Sequence, residues 1–176
     1  FQAWIHAGFD NVLVTPNGRI HRLLTRLSTE RLLHPFQPFI IGQRHLAAKM
    51  AAMHDIQLIF YGESGAEYGN PSANNNSAKR DFKEYEYFTS SDDSDVYLGG
   101  TSFKELKEDF GFKKHDFEPY MPIDPQVCED KGIEVHWLGH YVKWHPQSAY
   151  YYAVEHGGFQ AAPERTLGTY SKYNSI

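Results

Sequence analysis

The first 63 residues set two helix-period runs between two apolar strand-like runs, and this β-α-α-β order constrains the fold more than any other feature of the chain. "FDNVLVTP" (9–16) is a β-branched apolar run closed by proline, which predicts a strand over 10–15. Asn17 and Gly18 then open a helix over 18–33, with Ile20, Leu23, Leu24 and Leu27 at the i, i+3, i+4, i+7 spacing, and His34 and Pro35 close it. "PFQPFIIGQ" (35–43) reads as a Pro-punctuated connection. An alanine-rich helix over 44–55 follows, with Leu46, Met50 and Met53 on one stripe, and its methionines read as core rather than as ligands. Gln57 to Tyr61 is a short strand whose Leu58, Ile59 and Phe60 are all apolar, the pattern of a strand covered on both faces. Strands joined through helices run parallel. The expected class is therefore α/β, a parallel sheet with flanking helices in which 10–15 and 57–61 are parallel neighbours or near neighbours.

Beyond residue 63 the rhythm breaks. "NPSANNNSAKRDFKEYEYFTSSDDSD" is rich in Asn, Ser and Asp and shows no clear period, so 64–100 reads as a polar insertion. A functional lid and a solvated insertion fit it equally. Its "SSDDSD" lacks the spacing and terminal Glu of a calcium loop. Order returns at "TSFKELKEDFG" (101–111), where Ser102 and Glu105 form a capping-box signature and Phe103, Leu106 and Phe110 share a face. "IEVHWLGHYVKW" (133–144) is strand-like, and Pro146 opens a helix carrying Tyr150, Tyr151 and Tyr152. The organisation expected is a partial α/β nucleotide-binding core over 1–63, the insertion over 64–100, and an appended irregular α+β subregion over 101–176 on the substrate side.

Composition narrows the function classes. A formal charge of −5 and a pI near 6.0 give no whole-chain attraction to nucleic acid or anionic membrane. No stretch approaches the ~20 apolar residues of a membrane span, so neither nucleic acid nor membrane is an expected partner. One cysteine, Cys128, excludes an internal disulfide and a cysteine-cluster metal site, and a reducing cytoplasm fits best. The chain starts inside an amphipathic run, "FQAWIHAG", and stops at "GTYSKYNSI" without a capped helix, so a fragment is expected.

The candidate site begins where the strand at 57–61 ends. Gly62, Glu63, Ser64, Gly65, Glu67 and Gly69 follow within eight residues. In open α/β sheets, ligands bind beyond the carboxyl ends of the strands. Glycines there let backbone approach a phosphate, and two carboxylates suit a magnesium ion bridging phosphates. A solvated loop whose glycines only make turns explains the spacing equally well. His136 and His140 could share a strand face as a zinc pair, but no third ligand is evident. No motif supports a Ser-His-Asp or Cys-His nucleophile.

Five blocks, "HAGFDNVLVTPNGRIHRLLTRL", "HPFQPFIIGQ", "FYGESGAEYGN", "YLGG" and "PERTLGTYSKY", occur in the order found in the N-acetyl sugar amidotransferases, and the chain resembles that family over nearly its whole length. These are PP-loop ATP pyrophosphatases of the adenine nucleotide alpha-hydrolase-like (HUP) superfamily, serving bacterial surface-polysaccharide (LPS O-antigen) synthesis. The resemblance implies an ATP-dependent, AMP-forming conversion of an N-acetyl group on a nucleotide-activated sugar into an acetamidino group. ATP adenylates the amide oxygen, and ammonia from a partner glutaminase with a cyclase-like subunit displaces AMP. The implied cofactors are ATP and Mg2+. Glu63 and Glu67 are the implied catalytic and magnesium-holding residues, and Gly42, Gln43, Gly62, Glu63 and Ser64 the nucleotide-binding ones. Gly42 and Gln43 are expected to open a helix whose free N–H groups meet an anion, with a simple turn at Gly42 as the alternative. Asn17 is as readily an N-cap as a ligand contact. Arg165, Thr169, Tyr170 and Lys172 suit the diphosphate of a sugar nucleotide, with a solvated terminus as the alternative.

The family's "SGGKDS"-type phosphate loop does not occur in this sequence. The chain alone is therefore expected to be inactive, to bind ATP weakly, and to self-associate through an exposed sheet edge. The other functional classes open are a PP-loop enzyme of the tRNA-thiolating type and a non-catalytic sugar-nucleotide or partner-binding module. Against thiolation, "IIGQRHL" holds no cysteine and no basic stripe is present for RNA.

Overall fold

The computed structural model describes residues 2–62, 77–80, 94, 96–143, 145–165 and 167. They fall into two units, one drawn from 1–14 and 143–176, the other from 15–142. The larger unit is a mixed α/β assembly. Its helix α2 (Gly18–Leu32; α1 is Gln2–His6, in the smaller unit) starts because the Asn17 side chain accepts the Arg19 N–H at 3.0 Å. It buries Leu24, Leu27 and Ser28 and ends at Leu33, left-handed at φ 54, whose N–H reaches back to the last-turn carbonyls. Helix α3 (Gln37–His54) buries Pro38, His45, Ala48 and Ala51. Its small residues let it lie close to strand β1 (Leu58–Tyr61), with Ile59 between them.

Strand β1 pairs in parallel with β4 (Glu134–Trp137), Ile59 opposite Val135 and Tyr61 opposite Trp137. Ala48, Ala51, Ile59, Cys128, Ile133 and Val135 form one core, to which α6 (Pro125–Asp130) contributes Cys128 beside α3. A second core gathers Leu24 and Leu27 with Val96, Leu98, Phe103, Leu106, Phe112, Phe117 and Tyr120. It is held by a two-stranded antiparallel ribbon, β2 (Tyr97–Leu98) and β3 (Thr101–Ser102), and by α4 (Phe103–Glu108) and α5 (Lys114–Phe117). Gly99 and Gly100 turn the ribbon at φ 63 and 71, the two-residue hairpin conformation open to few other residues. In the smaller unit, α7 (Pro146–Gly157) has His145 at its N-cap and a left-handed Gly158 at its end. No helix among the described residues is long and apolar enough to cross a membrane.

Several local expectations need correction. Strand β1 is covered on one face only, because Leu58 and Phe60 are 51% and 48% exposed, and Met53, expected in the core, is 71% exposed. The strand-like run 133–144 is a strand only over Glu134–Trp137 and turns at Leu138–His140, so His140 does not share a strand face with His136. Residues 9–17 form no strand, and Val12, Leu13 and Val14 stand exposed. A β-prone run becomes a strand only against a partner, and the parallel partner of β1 is β4. The helix expected from residue 44 starts at Gln37, since Pro38 falls in the first turn, where its missing N–H has no helical partner to lose. The helix at 18–33, the Ser102 cap accepting from Glu105 N–H at 3.2 Å, and the helix opened by Pro146 are as expected.

Candidate functional site

The carboxyl ends of β1 and β4 bring Tyr61 and Trp137 side by side, ring centroids 5.7 Å apart. Register fixes this, because both are the last residues of paired strands. The short segment 77–80 runs along the outer edge of β4: Trp137 N–H donates to Ala78 O at 2.9 Å and Arg80 N–H to Val135 O at 2.8 Å. This places the Arg80 guanidinium against both rings, 5.8 Å from the centre of Tyr61 and 5.9 Å from that of Trp137. Arg80 is only 5% exposed, a desolvated position in which a cation–π contact gains strength.

Helix α3 supplies the other wall. The Tyr61 hydroxyl donates to Arg44 O at 2.8 Å, with Gln43 O at 3.3 Å. Burial raises the Tyr61 hydroxyl above its ordinary pKa, opposed by Arg80 and Arg44. His45, one residue on, is 3% exposed, and its Nδ1 lies 2.8 Å from Tyr120 O, so Nδ1 carries the proton and donates it. Its pKa falls to about 4, first because burial disfavours the imidazolium and then because Arg80, Lys49 and Arg44 surround it with positive charge. Lys49, one helical turn further, donates to Glu118 O, and burial lowers its pKa. Tyr120 closes the wall, its hydroxyl 2.9 Å from His21 Nδ1 and raised to about 12 by burial.

The corner thus assembles three cations, Arg44, Lys49 and Arg80, around a neutral buried imidazole and two aromatic rings. Such an arrangement attracts anions, and planar groups can stack beside it. Among the described residues no three His, Cys, Asp or Glu side chains come together to hold a metal. The zinc pair at His136 and His140 gains no third ligand there.

The residues expected from sequence divide as follows. Glu63, Ser64, Glu67, Thr169, Tyr170 and Lys172 lie outside the described residues. Gly62 follows Tyr61 directly and is exposed, with no atom within 4 Å of where a Cβ would stand. Gly42 and Gln43 sit in the second turn of α3 rather than at its start, so the free helix-end amides expected of them are absent. Gln43 still meets the strand end through its carbonyl. A Cβ on Gly42 would stand 3.4 Å from Pro119 O, an ordinary contact, so the approach of α3 to 119–120 does not require a glycine there. Arg165 is exposed in the smaller unit.

Arg44, His45, Lys49, Tyr61, Arg80 and Trp137 were not singled out by sequence reasoning. The one signal for them was the "RH" that directly follows Gly42 and Gln43; Arg80 sits in an insertion with no period to read. No protein-family model and no curated protein matches this chain.

Proposed function

We propose that the chain is the post-PP-loop part of an ATP-dependent, AMP-forming amidotransferase that converts the N-acetyl group of a nucleotide-activated sugar to an acetamidino group. The observation that carries this reading is the cationic, aromatic-lined corner at the carboxyl ends of a parallel strand pair. Phosphates gain charge-assisted hydrogen bonds from Arg and Lys in such a place, and strand carboxyl ends are where open α/β sheets bind nucleotides. The five sequence blocks supply the substrate class. On this reading the sheet belongs to a PP-loop (HUP-like) architecture, and Gly62, Glu63, Ser64 and Glu67 extend the corner toward ATP and Mg2+, with Glu63 and Glu67 as magnesium ligands. Arg165, Thr169, Tyr170 and Lys172 serve the sugar nucleotide. A glutaminase and a cyclase-like subunit deliver ammonia in a cytoplasmic assembly, with self-association between copies covering an open sheet edge.

The test incubates the full-length gene product with ATP, magnesium, ammonium and a panel of nucleotide-activated N-acetyl sugars, and measures AMP and pyrophosphate. Sugar-dependent AMP release is expected, abolished by Glu63→Gln and reduced about tenfold or more by Arg80→Leu, the loss of one charge-assisted contact of ~1.5–3 kcal/mol. Pyrophosphate binding without AMP release would reassign the corner to a sugar-nucleotide binding module. Full turnover in Arg80→Leu would remove the corner from the reaction.

A further inference from the structure

The opposite face of the β1–β4 pair carries a second hydrogen-bonded cluster, for which the amidotransferase reading has no use. Alternation along the strands puts Ile59, Tyr61, Val135 and Trp137 on one face and Leu58, Phe60, Glu134 and His136 on the other. On that second face His136 Nδ1 lies 2.6 Å from the Tyr141 hydroxyl, and His136 Nε2 lies 3.0 Å from Glu134 Oε2. Lys79 Nζ donates to the remaining Glu134 oxygen at 2.6 Å. For a neutral imidazole, one proton arrangement satisfies both contacts: Nε2–H donates to the carboxylate, and the Nδ1 lone pair accepts the phenol O–H. The reverse tautomer would set a lone pair against a carboxylate. The result is a hydroxyl, a base and an orienting acid in series, the geometry by which side-chain nucleophiles are activated.

We propose that Tyr141 is a nucleophile toward activated acyl groups, with His136 as the base that takes its proton and Glu134 as the positioning residue that holds His136. Access supports this. Tyr141 is 57% exposed, and Phe60, edge-on to it at 5.7 Å, and Leu58 are each about half exposed. The charges of this cluster cancel, since Glu134 is paired with Lys79. The surface beside it is apolar, with Leu58, Phe60 and Val142 exposed. An uncharged acyl chain fits that face, and a phosphoryl group does not.

The phenol also selects the leaving group. A phenolate displaces leaving groups at least as good as itself, such as thiolates or other phenolates, and not alkoxides. The substrate class is therefore thioesters or aryl esters. In the step, the Tyr141 Oη–carbon bond forms as the phenol proton passes to His136 Nδ1. The carbonyl–sulfur or carbonyl–oxygen bond then breaks, and the thiol or phenol leaves with that proton. Water, deprotonated by His136, cleaves the acyl-tyrosine to give the free acid and restore the phenol.

The experiment treats the chain with p-nitrophenyl butyrate, quenches in acid within the first turnover so that hydrolysis does not remove the adduct, and maps acylated peptides by mass spectrometry against time. Tyr97, at 56% exposed, is the internal control for an accessible phenol. Tyr141 is expected to acylate about tenfold or more faster than Tyr97, and His136→Gly to lower its labelling by about a hundredfold, the scale of general-base assistance. Added imidazole should restore labelling in His136→Gly, which a merely structural role for His136 would not produce. Equal labelling of Tyr141 and Tyr97, a stable adduct on His136 instead of Tyr141, or no rescue by imidazole in a folded His136→Gly would each overturn the proposal. The comparison of Tyr141 with Tyr97 needs no variant, so it decides even where a variant fails to fold.

Discussion

Replacing Gly100 by alanine should be far more damaging than replacing Gly111, although both glycines have nearly the same backbone. Their φ angles are +71 and +69. Holding an L-residue in the left-handed region costs roughly 1–2 kcal/mol, so this part of the penalty is shared. The surroundings differ. Nothing lies within 4 Å of a Cβ on Gly111, whereas one on Gly100 would stand 2.9 Å from Leu32 Cγ and 3.0 Å from Arg31 Cβ. Leu32, 44% exposed, can swing aside. The Arg31 Cβ moves only with the backbone of α2, whose Leu24 and Leu27 fill the larger core. Arg31 is also tied to Glu105 of α4 by two bonds of 2.9 and 2.5 Å. Overpacking of this kind costs roughly 1–3 kcal/mol. Gly111→Ala should therefore lose about 1–2 kcal/mol, and Gly100→Ala about 2–5 kcal/mol. Urea unfolding followed by tryptophan fluorescence reads both, with the slope checked for constancy between variants. Equal losses in the two variants would refute the packing of the hairpin tip on α2.

Two further outcomes follow from the site wall. Gly42→Ala should be neutral or stabilise the chain by up to ~1 kcal/mol, because alanine suits a helix interior and the nearest atom to its Cβ is at an ordinary 3.4 Å; a loss above ~1 kcal/mol in urea would contradict the position of Gly42 inside α3. Between pH 6.5 and about 4 the unfolded chain binds a proton at His45 that the folded chain refuses, so this group's stability contribution is complete above 6.5 and is lost as pH falls toward 4. The shift corresponds to about 3 kcal/mol, and His45→Asn should flatten the decline in urea midpoint from pH 7 to pH 4.5; an unchanged slope would place the titration elsewhere.

What could be read from the sequence follows the range of the forces involved. Helix α2 was legible because its signals are local: an Asn cap, an i, i+3, i+4, i+7 stripe and a His-Pro stop. The start of α3 was not, because Pro35 and Pro38 look alike in sequence and only the second falls where a helix tolerates it. The strand at 10–15 failed for the opposite reason. Its propensity is strong, but propensity does not create a partner, and β1 takes its partner from 134–137 instead. The same logic governs the site. Glycines and acids at the end of β1 drew attention to that strand end, since they are contiguous in sequence. Arg80 could not be seen, because its backbone bond to Val135 and its contact with the rings of Tyr61 and Trp137 are long-range. The cations of the corner change the electrostatic argument for an anionic ligand. With carboxylates alone, a phosphate would be repelled until a metal intervened. On the proposed reading, Arg44, Lys49 and Arg80 on the adjoining walls would favour an anionic ligand without a metal. Inorganic phosphate or pyrophosphate should therefore bind here in EDTA, weakening as salt rises.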